Sequence, residues 1–252
     1  MLQISRLMKA RLIATAVASI AGFCSPLGAQ PADVACPTNL MEATRIILVV
    51  AADMNAISGR LQLIERRSKD AKWNKMGEAR ETVLGWAGVA WAWNFAHLAK
   101  GREPVKQEGD GRTPAGFFAV GGPFGFAPAT AKDYVQLEHG KTFCVNDVRS
   151  PHYNTIVTRA VAGPSTSGEA MRSIPLYRRG LFIDYPTNRE KKGGSCIFIH
   201  LWRSPNSATA GCVALAEPDV EDLQNWAGER PTLLAILSQA AFDRMRACFK
   251  GL

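Results

Sequence analysis

Short apolar runs bounded by turn-forming residues recur along the chain, and their lengths are typical of strands rather than helices. The run at 197–199, Ile-Phe-Ile, consists entirely of β-branched and aromatic residues. The runs occupy residues 45–50, 60–66, 181–185, 197–199 and 232–237. The pattern therefore predicts a sheet that is assembled from several short strands.

Helical signals are fewer. Residues 217–219 contain a proline and two acidic side chains, which are typical of a first helical turn. Phe242, Met245 and Phe249 are spaced for a final amphipathic helix, and residues 169–176 for a short one. We therefore predict a mainly β, α+β fold, either a sandwich or a partly closed barrel, with peripheral helices.

The N-terminus has the order of a secretory signal peptide. Arg6, Lys9 and Arg11 precede an apolar run at 12–23, and small residues follow it. The run is short for a bilayer span, although a retained anchor stays the alternative. We predict a signal peptide over residues 1–29, export to the periplasm or cell envelope, and membrane contact only through this segment.

Net charge indicates the class of partner, and chain length indicates the number of domains. The full chain has a formal net charge of +8, and signal cleavage removes three positive charges. The modest positive charge that remains suits an anionic polymer such as the cell wall. The sequence has neither a basic helix nor a surface of interleaved aromatic and basic residues, so we expect no nucleic-acid binding. The length suits one domain with a sizeable core.

Cysteine number is informative in an exported chain. After signal cleavage the chain retains Cys36, Cys144, Cys196, Cys212 and Cys248, which is an odd number. In an oxidising compartment four of them would form two disulfides and leave one free thiol. Pairing Cys36 with Cys248 and Cys144 with Cys196 would leave Cys212 free, although other pairings stay open.

One stretch carries candidate chemistry. His200 ends a predicted strand, and a polar loop at 203–207 separates it from Cys212. A neighbouring imidazole can take the proton of a thiol and so produce the nucleophilic thiolate. Gly211 permits a tight turn whose amides would face an oxyanion. A zinc site here would need a fourth ligand that the neighbourhood lacks, so we expect no metal.

Residues 106–118, KQEGDGRTPAGFF, form a second informative stretch. Three glycines and a proline predict a turn-rich loop that leads into a strand. The stretch lacks the Gly-Lys-Ser/Thr ending of a phosphate-binding loop and the helix that should follow it.

These two stretches resemble the signature of the L,D-transpeptidase catalytic domain, the YkuD family. That signature has a His, a spacer, then Ser or Thr, His, Gly, Cys, a hydrophobic residue and Asn or Arg. Here His200 precedes Thr209-Ala210-Gly211-Cys212-Val213-Ala214, and residues 106–118 match the family's Gly-Asp-Gly segment in the family order. The spacer is shorter, and Ala210 and Ala214 replace polar family residues.

The resemblance implies a cysteine-dependent peptidoglycan L,D-transpeptidase with roles in cell-wall organisation and cell shape. Cys212 would attack a stem peptide, and His200 would act as base and then acid. An amine acceptor would give a cross-link, whereas water would give L,D-carboxypeptidase activity. Gly211 would shape the oxyanion turn, and the backbone carbonyl of Ala210 would orient His200. No cofactor is implied, and carbapenem-type inhibitors would acylate the nucleophile.

The resemblance also divides the chain. Residues 30–80 would supply N-terminal strands that join the main sheet, and residues 81–252 would form the catalytic domain with its C-terminal helix. The candidate substrate contacts are Tyr153, Asn154, Tyr185, Arg203 and Thr209.

Two alternatives stay open. A papain-like cell-wall endopeptidase or amidase would use the same residue types, but such enzymes place Cys before His, and here His200 precedes Cys212. A non-catalytic wall-binding protein is the other alternative, since Ala214 lacks the polar group of the family.

Overall fold

Strands form the frame of the molecule, as the apolar runs predict. The computed structural model describes residues 35–252, so the predicted signal peptide lies outside the described residues. Within 35–252, every helix is too short or too polar to cross a membrane.

The described residues form thirteen strands and four α-helices. The strands are β1 Arg45–Ala51, β2 Ser58–Glu65, β3 Asn74–Val83, β4 Val89–Trp91, β5 Thr113–Gly125, β6 Val135–Gln136, β7 Phe143–Val145, β8 Ile156–Val157, β9 Gly168–Ala170, β10 Arg179–Asp184, β11 Phe198–Leu201, β12 Val213–Leu215 and β13 Leu233–Ser238. The helices are α1 Thr38–Glu42, α2 Arg159–Ala162, α3 Glu217–Glu229 and α4 Gln239–Arg244, with 3-10 helices at Trp93–Leu98, Met171–Ser173, Pro175–Arg178 and Arg246–Phe249.

Eight of the strands close into a barrel. Their order is β10-β11-β12-β3-β2-β1-β13-β5, and β5 returns to pair with β10. Closure leaves these strands without a free edge and encloses a side-chain core. The predicted mainly β fold with peripheral helices is confirmed.

Helix α3 packs across the seam between β5 and β10. The buried amide of Gln224 donates 2.8 Å hydrogen bonds to the backbone oxygens of Phe124 on β5 and Gly180 on β10. Because a buried amide is costly unless it is hydrogen-bonded, these contacts fix the helix over the seam. Strand β13 lies next to β5 and runs parallel to β1, and its six residues are all buried.

A small sheet of order β8-β7-β9 lies beside the barrel. A disulfide between Cys144 on β7 and Cys196 joins it to the segment that leads into β11. A second disulfide joins Cys36 to Cys248, so the two ends of the described chain are held together. Both pairings are among those considered from the sequence, and their confirmation leaves Cys212 as a free thiol.

Three local predictions are wrong. Strand β3 was missed because most of its first residues are exposed, so it lacks an apolar alternation. The helix expected at 169–176 is β9 followed by two 3-10 turns, since Glu169 pairs with Cys144 of β7 and Pro175 cannot continue a helix. The final helix is interrupted at Met245, whose backbone leaves the helical region.

Candidate active site

The neighbouring parallel strands β11 and β12 bring His200 and Cys212 to one face of the barrel wall. His200 pairs with Ala214, and Ile199 with Val213. Side chains alternate along a strand, so Cys212, two residues before Ala214, points to the same side as His200. The two side chains are therefore diagonal neighbours on adjacent strands.

The Cys212 thiol is buried, with 8% of the residue exposed. Its sulfur accepts a hydrogen bond from the Phe198 amide at 3.4 Å and donates to the Cys196 carbonyl at 3.3 Å. Burial raises the pKa of the thiol to about 12, and the negative charge of Glu169 acts in the same direction. The hydrogen bond from the Phe198 amide opposes this rise in pKa.

The His200 ring is buried and held by a backbone carbonyl. Its Nδ1 lies 2.7 Å from the Leu201 oxygen, a contact that fixes the proton on Nδ1 and leaves Nε2 as the basic nitrogen. Burial lowers the pKa of His200 to about 4, so the ring is neutral at pH 7. The prediction that the Ala210 carbonyl orients this ring is wrong, because Leu201 supplies the carbonyl. Within residues 35–252 no hydrogen bond joins His200 to Cys212.

The turn before Cys212 is held by Thr209. Its hydroxyl donates to the Cys212 carbonyl at 2.7 Å and accepts from the Gly211 amide at 3.1 Å. Gly211 has a φ of +153°, and a Cβ at this position would lie 3.1 Å from the Arg112 carbonyl oxygen. A side chain is therefore disfavoured at Gly211 both by conformation and by space. The Thr209 hydroxyl thus positions the backbone of the nucleophile, and its contact with substrate stays a prediction.

The Gly-Asp-Gly loop lies against this turn. The ammonium of Lys106 is buried and pairs with Asp110 at 2.5 Å, while Asp110 also accepts from the Arg112 amide. Thr113 accepts from the Gly85 amide and donates to the Cys212 carbonyl at 3.3 Å. The loop therefore supports the backbone of the nucleophile through hydrogen bonds.

Two adjoining cavities open beside these strands. One, of about 140 Å³, is lined by Cys212 together with Lys106, and the other, of about 260 Å³, is lined by His200. Glu169 and Ala210 line both cavities, so they form the boundary between them. Among residues 35–252, no group of three His, Cys, Asp or Glu side chains is arranged to hold a metal ion.

Three of the predicted substrate contacts make hydrogen bonds within the protein. The Asn154 amide donates to the Tyr185 carbonyl at 2.9 Å and accepts from the Cys196 amide at 3.1 Å. The buried Tyr185 hydroxyl donates to the Gly193 carbonyl. The Tyr153 hydroxyl donates to Glu108 at 2.5 Å. These hydrogen bonds brace the segment that leads into β11, and a contact of the three side chains with substrate stays a prediction.

Arg203, the remaining predicted contact, is exposed and lines the cavity of His200. Its guanidinium is available to a carboxylate at that rim.

Sequence reasoning missed Glu169 and Tyr177. The Tyr177 hydroxyl donates to the Glu169 carboxylate at 2.5 Å, and its ring lies 5.2 Å from the His200 ring with the planes inclined at 61°. Neither residue belongs to a motif, and the expected helix at 169–176 hid the strand that carries Glu169. Only the pairing of β9 with β7 brings this carboxylate to the site.

Comparison with known proteins gives a family match. The family model described as the L,D-transpeptidase catalytic domain, YkuD, matches residues 88–236, which is more than half of the chain. No curated protein matches the chain.

Two similar solved structures are the helical cell shape determining protein Pgp2 from Campylobacter jejuni and a mutant of it. Their sequence identities are 14% and 15% and their TM-scores 0.38 and 0.39. The alignments cover 80% and 82% of this chain but 52% and 53% of those chains. The chain therefore spans about half the length of these structures.

Proposed function

The chain belongs to the YkuD family of L,D-transpeptidase catalytic domains, and on that premise we propose that it is a peptidoglycan L,D-transpeptidase with Cys212 as nucleophile. His200 is the acid–base residue, and the substrates are stem peptides of the cell wall. The reaction is acyl transfer from one stem peptide to an amine of another.

The proposed reaction has two halves. The Cys212 thiol gives its proton to Nε2 of His200 as its sulfur forms a bond to the carbonyl carbon of a stem peptide bond, while the π electron pair moves to the oxygen. Collapse of this oxyanion breaks the C–N bond, and the departing amine takes a proton from His200. The resulting thioester is attacked by an amine of a second stem, which forms the cross-link and returns the thiol. Water in place of the amine gives L,D-carboxypeptidase activity.

One observation carries the proposal. Both disulfides spare Cys212, and this free thiol shares a face of adjacent strands with a neutral imidazole whose Nε2 is available as a base. The two disulfides also support export to an oxidising compartment, which we propose is the periplasm or cell envelope.

The arrangement argues against a papain-like endopeptidase. Such enzymes place the cysteine at a helix N-terminus, where the helix dipole lowers the pKa of the thiol. Cys212 instead directly precedes strand β12, and burial raises the pKa of its thiol to about 12.

The test is acylation by a carbapenem, followed by intact-protein mass. Oxidised protein beginning at residue 30 should gain the mass of one inhibitor molecule, and Cys212→Ala should gain none. No mass gain in the unmodified protein would favour a non-catalytic wall-binding role. Incubation with a disaccharide-tetrapeptide should then yield cross-linked or trimmed product, and His200→Ala should abolish it.

A further inference from the structure

Trp86 is an exposed tryptophan that lines the cavity of Cys212. The residue is 61% exposed, so a large and mostly apolar ring system is left in water. An exposed aromatic side chain beside a candidate active site is a candidate ligand contact. The surroundings of this indole therefore indicate what it binds.

The turn that carries Trp86 is joined to the turn that carries the nucleophile. The Trp86 amide donates to the Thr209 carbonyl at 2.8 Å, and the Thr209 hydroxyl donates to the Cys212 carbonyl at 2.7 Å. The next amide along the chain, that of Ala87, donates to the Gly111 carbonyl at 3.0 Å. The backbone of Trp86 is therefore held at a fixed position relative to Cys212 before a ligand binds.

Gly111 covers one face of the indole. A Cβ added at Gly111 would lie 2.0 Å from Cε2 of Trp86, 2.3 Å from Cζ2 and 2.4 Å from Nε1. An approach in the plane of the ring would bring this Cβ closer to the two bonded neighbours than to Cε2, so Gly111 lies over the face. Since more than half of the residue stays accessible with this face covered, the opposite face is open to solvent.

Trp93 shows how the chain covers another exposed indole. The Lys191 ammonium stacks over its ring at 5.1 Å, and its Nε1 donates to the Pro186 carbonyl at 2.5 Å. Within residues 35–252, no cationic side chain stacks on Trp86. The open face of Trp86 is thus accessible to a ligand.

We propose that Trp86 binds a sugar ring of the glycan that carries the donor stem peptide, and so holds the donor beside Cys212. As a donor site it rests on the proposed acyl transfer, and it adds the glycan to the part of the substrate that is recognised. One face of a pyranose presents several C–H bonds, which pack against the electron-rich face of an aromatic ring. A fixed indole with one open face offers that surface.

The size of the cavity favours a sugar at its rim rather than inside it. The cavity of Cys212 has a volume of about 140 Å³, whereas sites that enclose a whole small molecule have about 300–1,000 Å³. The cavity therefore accommodates only part of the peptide. An extended stem of four residues is at most about 14 Å long, so its sugar stays close to the attacked carbonyl.

Asn146 supplies a polar group at the same cavity. Its Oδ1 accepts a hydrogen bond from the Ser167 hydroxyl, so its amide nitrogen is the end that remains for a ligand. An open ring face together with an amide donor matches the chemistry of a sugar, which combines a C–H face with hydroxyl and acetamido oxygens.

The experiment compares a disaccharide-tetrapeptide with the same tetrapeptide without sugars, in oxidised protein beginning at residue 30. The rate of Cys212 acylation is followed by intact-protein mass at donor concentrations below saturation. We expect the wild type to prefer the disaccharide donor, and Trp86→Ala to react with this donor about 10-fold more slowly. Trp86→Phe keeps an aromatic face and should stay within about three-fold of the wild type.

Donors without a sugar are the internal control. Acylation of Trp86→Ala by the tetrapeptide alone, and by a carbapenem, should change by no more than about two-fold. An equal loss with both peptide donors would overturn the proposal, because it would assign Trp86 to the peptide or to the shape of the cavity. An unchanged rate in Trp86→Ala, or a wild type without preference for the disaccharide, would overturn it too.

Trp93→Ala is the matched control. Trp93 is also an exposed indole, at 38%, but it lies outside the lining of the Cys212 cavity. The ratio of the rates with the two peptide donors should therefore equal the wild-type ratio. The same loss of preference in Trp93→Ala and Trp86→Ala would contradict the assignment to Trp86.

Binding to Cys212→Ala separates the sugar site from the proposed reaction. This variant forms no thioester, so calorimetric titration measures affinity alone. Adding Trp86→Ala should weaken binding of the disaccharide-tetrapeptide about 10-fold and leave binding of the tetrapeptide unchanged. Acylation of the wild type without this difference in affinity would overturn the sugar site alone. If no donor acylates the wild type while the difference persists, the acyl transfer is wrong and the sugar site remains.

Discussion

The Cys212 sulfur lies 3.3 Å from the carbonyl oxygen of Cys196, the residue whose own sulfur is bonded to Cys144. The nucleophile therefore has another cysteine as an immediate neighbour. Cys196 adopts a φ of +54°, which is unusual for a residue with a side chain. The bond to Cys144 directs the Cys196 sulfur toward the small sheet, and this keeps it away from Cys212.

Removal of that bond should expose the nucleophile to mispairing. In Cys144→Ser under oxidising conditions, we expect a disulfide between Cys196 and Cys212. In protein beginning at residue 30, titration of the denatured variant should then find no free thiol, whereas the same protein without the substitution has the single thiol of Cys212. Carbapenem acylation should be lost and should return after mild reduction.

The double variant Cys144→Ser/Cys196→Ser is the control for this prediction. It lacks the same disulfide but has no competing thiol, so acylation should persist without reductant. Two free thiols in Cys144→Ser would show that the neighbouring sulfurs do not pair.

Burial of His200 makes the stability of the fold depend on pH. Its pKa falls from 6.5 to about 4 on folding, so the unfolded chain binds a proton that the native state excludes. Between these two values stability decreases as the pH falls. From pH 7 to pH 5 we expect a loss of about 2 kcal/mol from this residue in urea unfolding.

The comparison with His200→Gln isolates that contribution. Glu169 acts in the opposite direction, because its raised pKa favours proton uptake by the native state. The variant retains Glu169, so the difference between the two proteins reports His200. Equal loss of stability in both between pH 7 and pH 5 would contradict a buried neutral imidazole.

Sequence patterns predicted the reactive residues of the site that lie close to each other along the chain. Cys212 and His200 lie twelve positions apart on two strands joined by one loop, and the apolar runs beside them are strong strand signals. The odd number of cysteines predicted one free thiol, and one of the pairings left open made that thiol Cys212. These inferences needed no knowledge of how distant segments meet.

Groups that act through tertiary contact were not predictable in the same way. Glu169 reaches the cavity of Cys212 only because β9 pairs with β7, and the half-buried Asn154 braces the backbone of Cys196. Strand β3 is largely exposed, so its polar sequence resembles a loop. The positions of Glu169, Asn154 and β3 therefore depend on which distant segments contact each other in the fold, and sequence composition does not reveal those contacts.

Asn154 is expected to hold the segment before β11 in place. Its amide bridges the Tyr185 carbonyl and the Cys196 amide, and its own φ is +57°. Asn154→Ala leaves both backbone groups without this partner, so stability should fall by about 1–3 kcal/mol. The segment should also become more sensitive to trypsin at Lys191 and Lys192, which are exposed.

Trypsin digestion followed by mass spectrometry checks this expectation. Asn74→Ala is a suitable control, because the exposed Asn74 donates its amide to the Lys72 carbonyl and lies on β3, outside this segment. If cleavage rates in Asn154→Ala match those of the wild type, the brace is unimportant for the segment.

Gly211 determines the backbone conformation of the turn that leads into Cys212. Its φ of +153° is rarely adopted by residues with a side chain, and an added Cβ would lie 3.1 Å from the Arg112 carbonyl. Gly211→Ala should therefore cost about 1–3 kcal/mol in urea unfolding. It should also slow carbapenem acylation, because the turn held by Thr209 must shift and Cys212 moves with it.

Gly101→Ala separates the effect on stability from the effect on acylation, since Gly101 has a φ of +58° with nothing within 4 Å of an added Cβ. That control should lose some stability but acylate at the wild-type rate. Normal acylation in Gly211→Ala would show that the turn tolerates displacement.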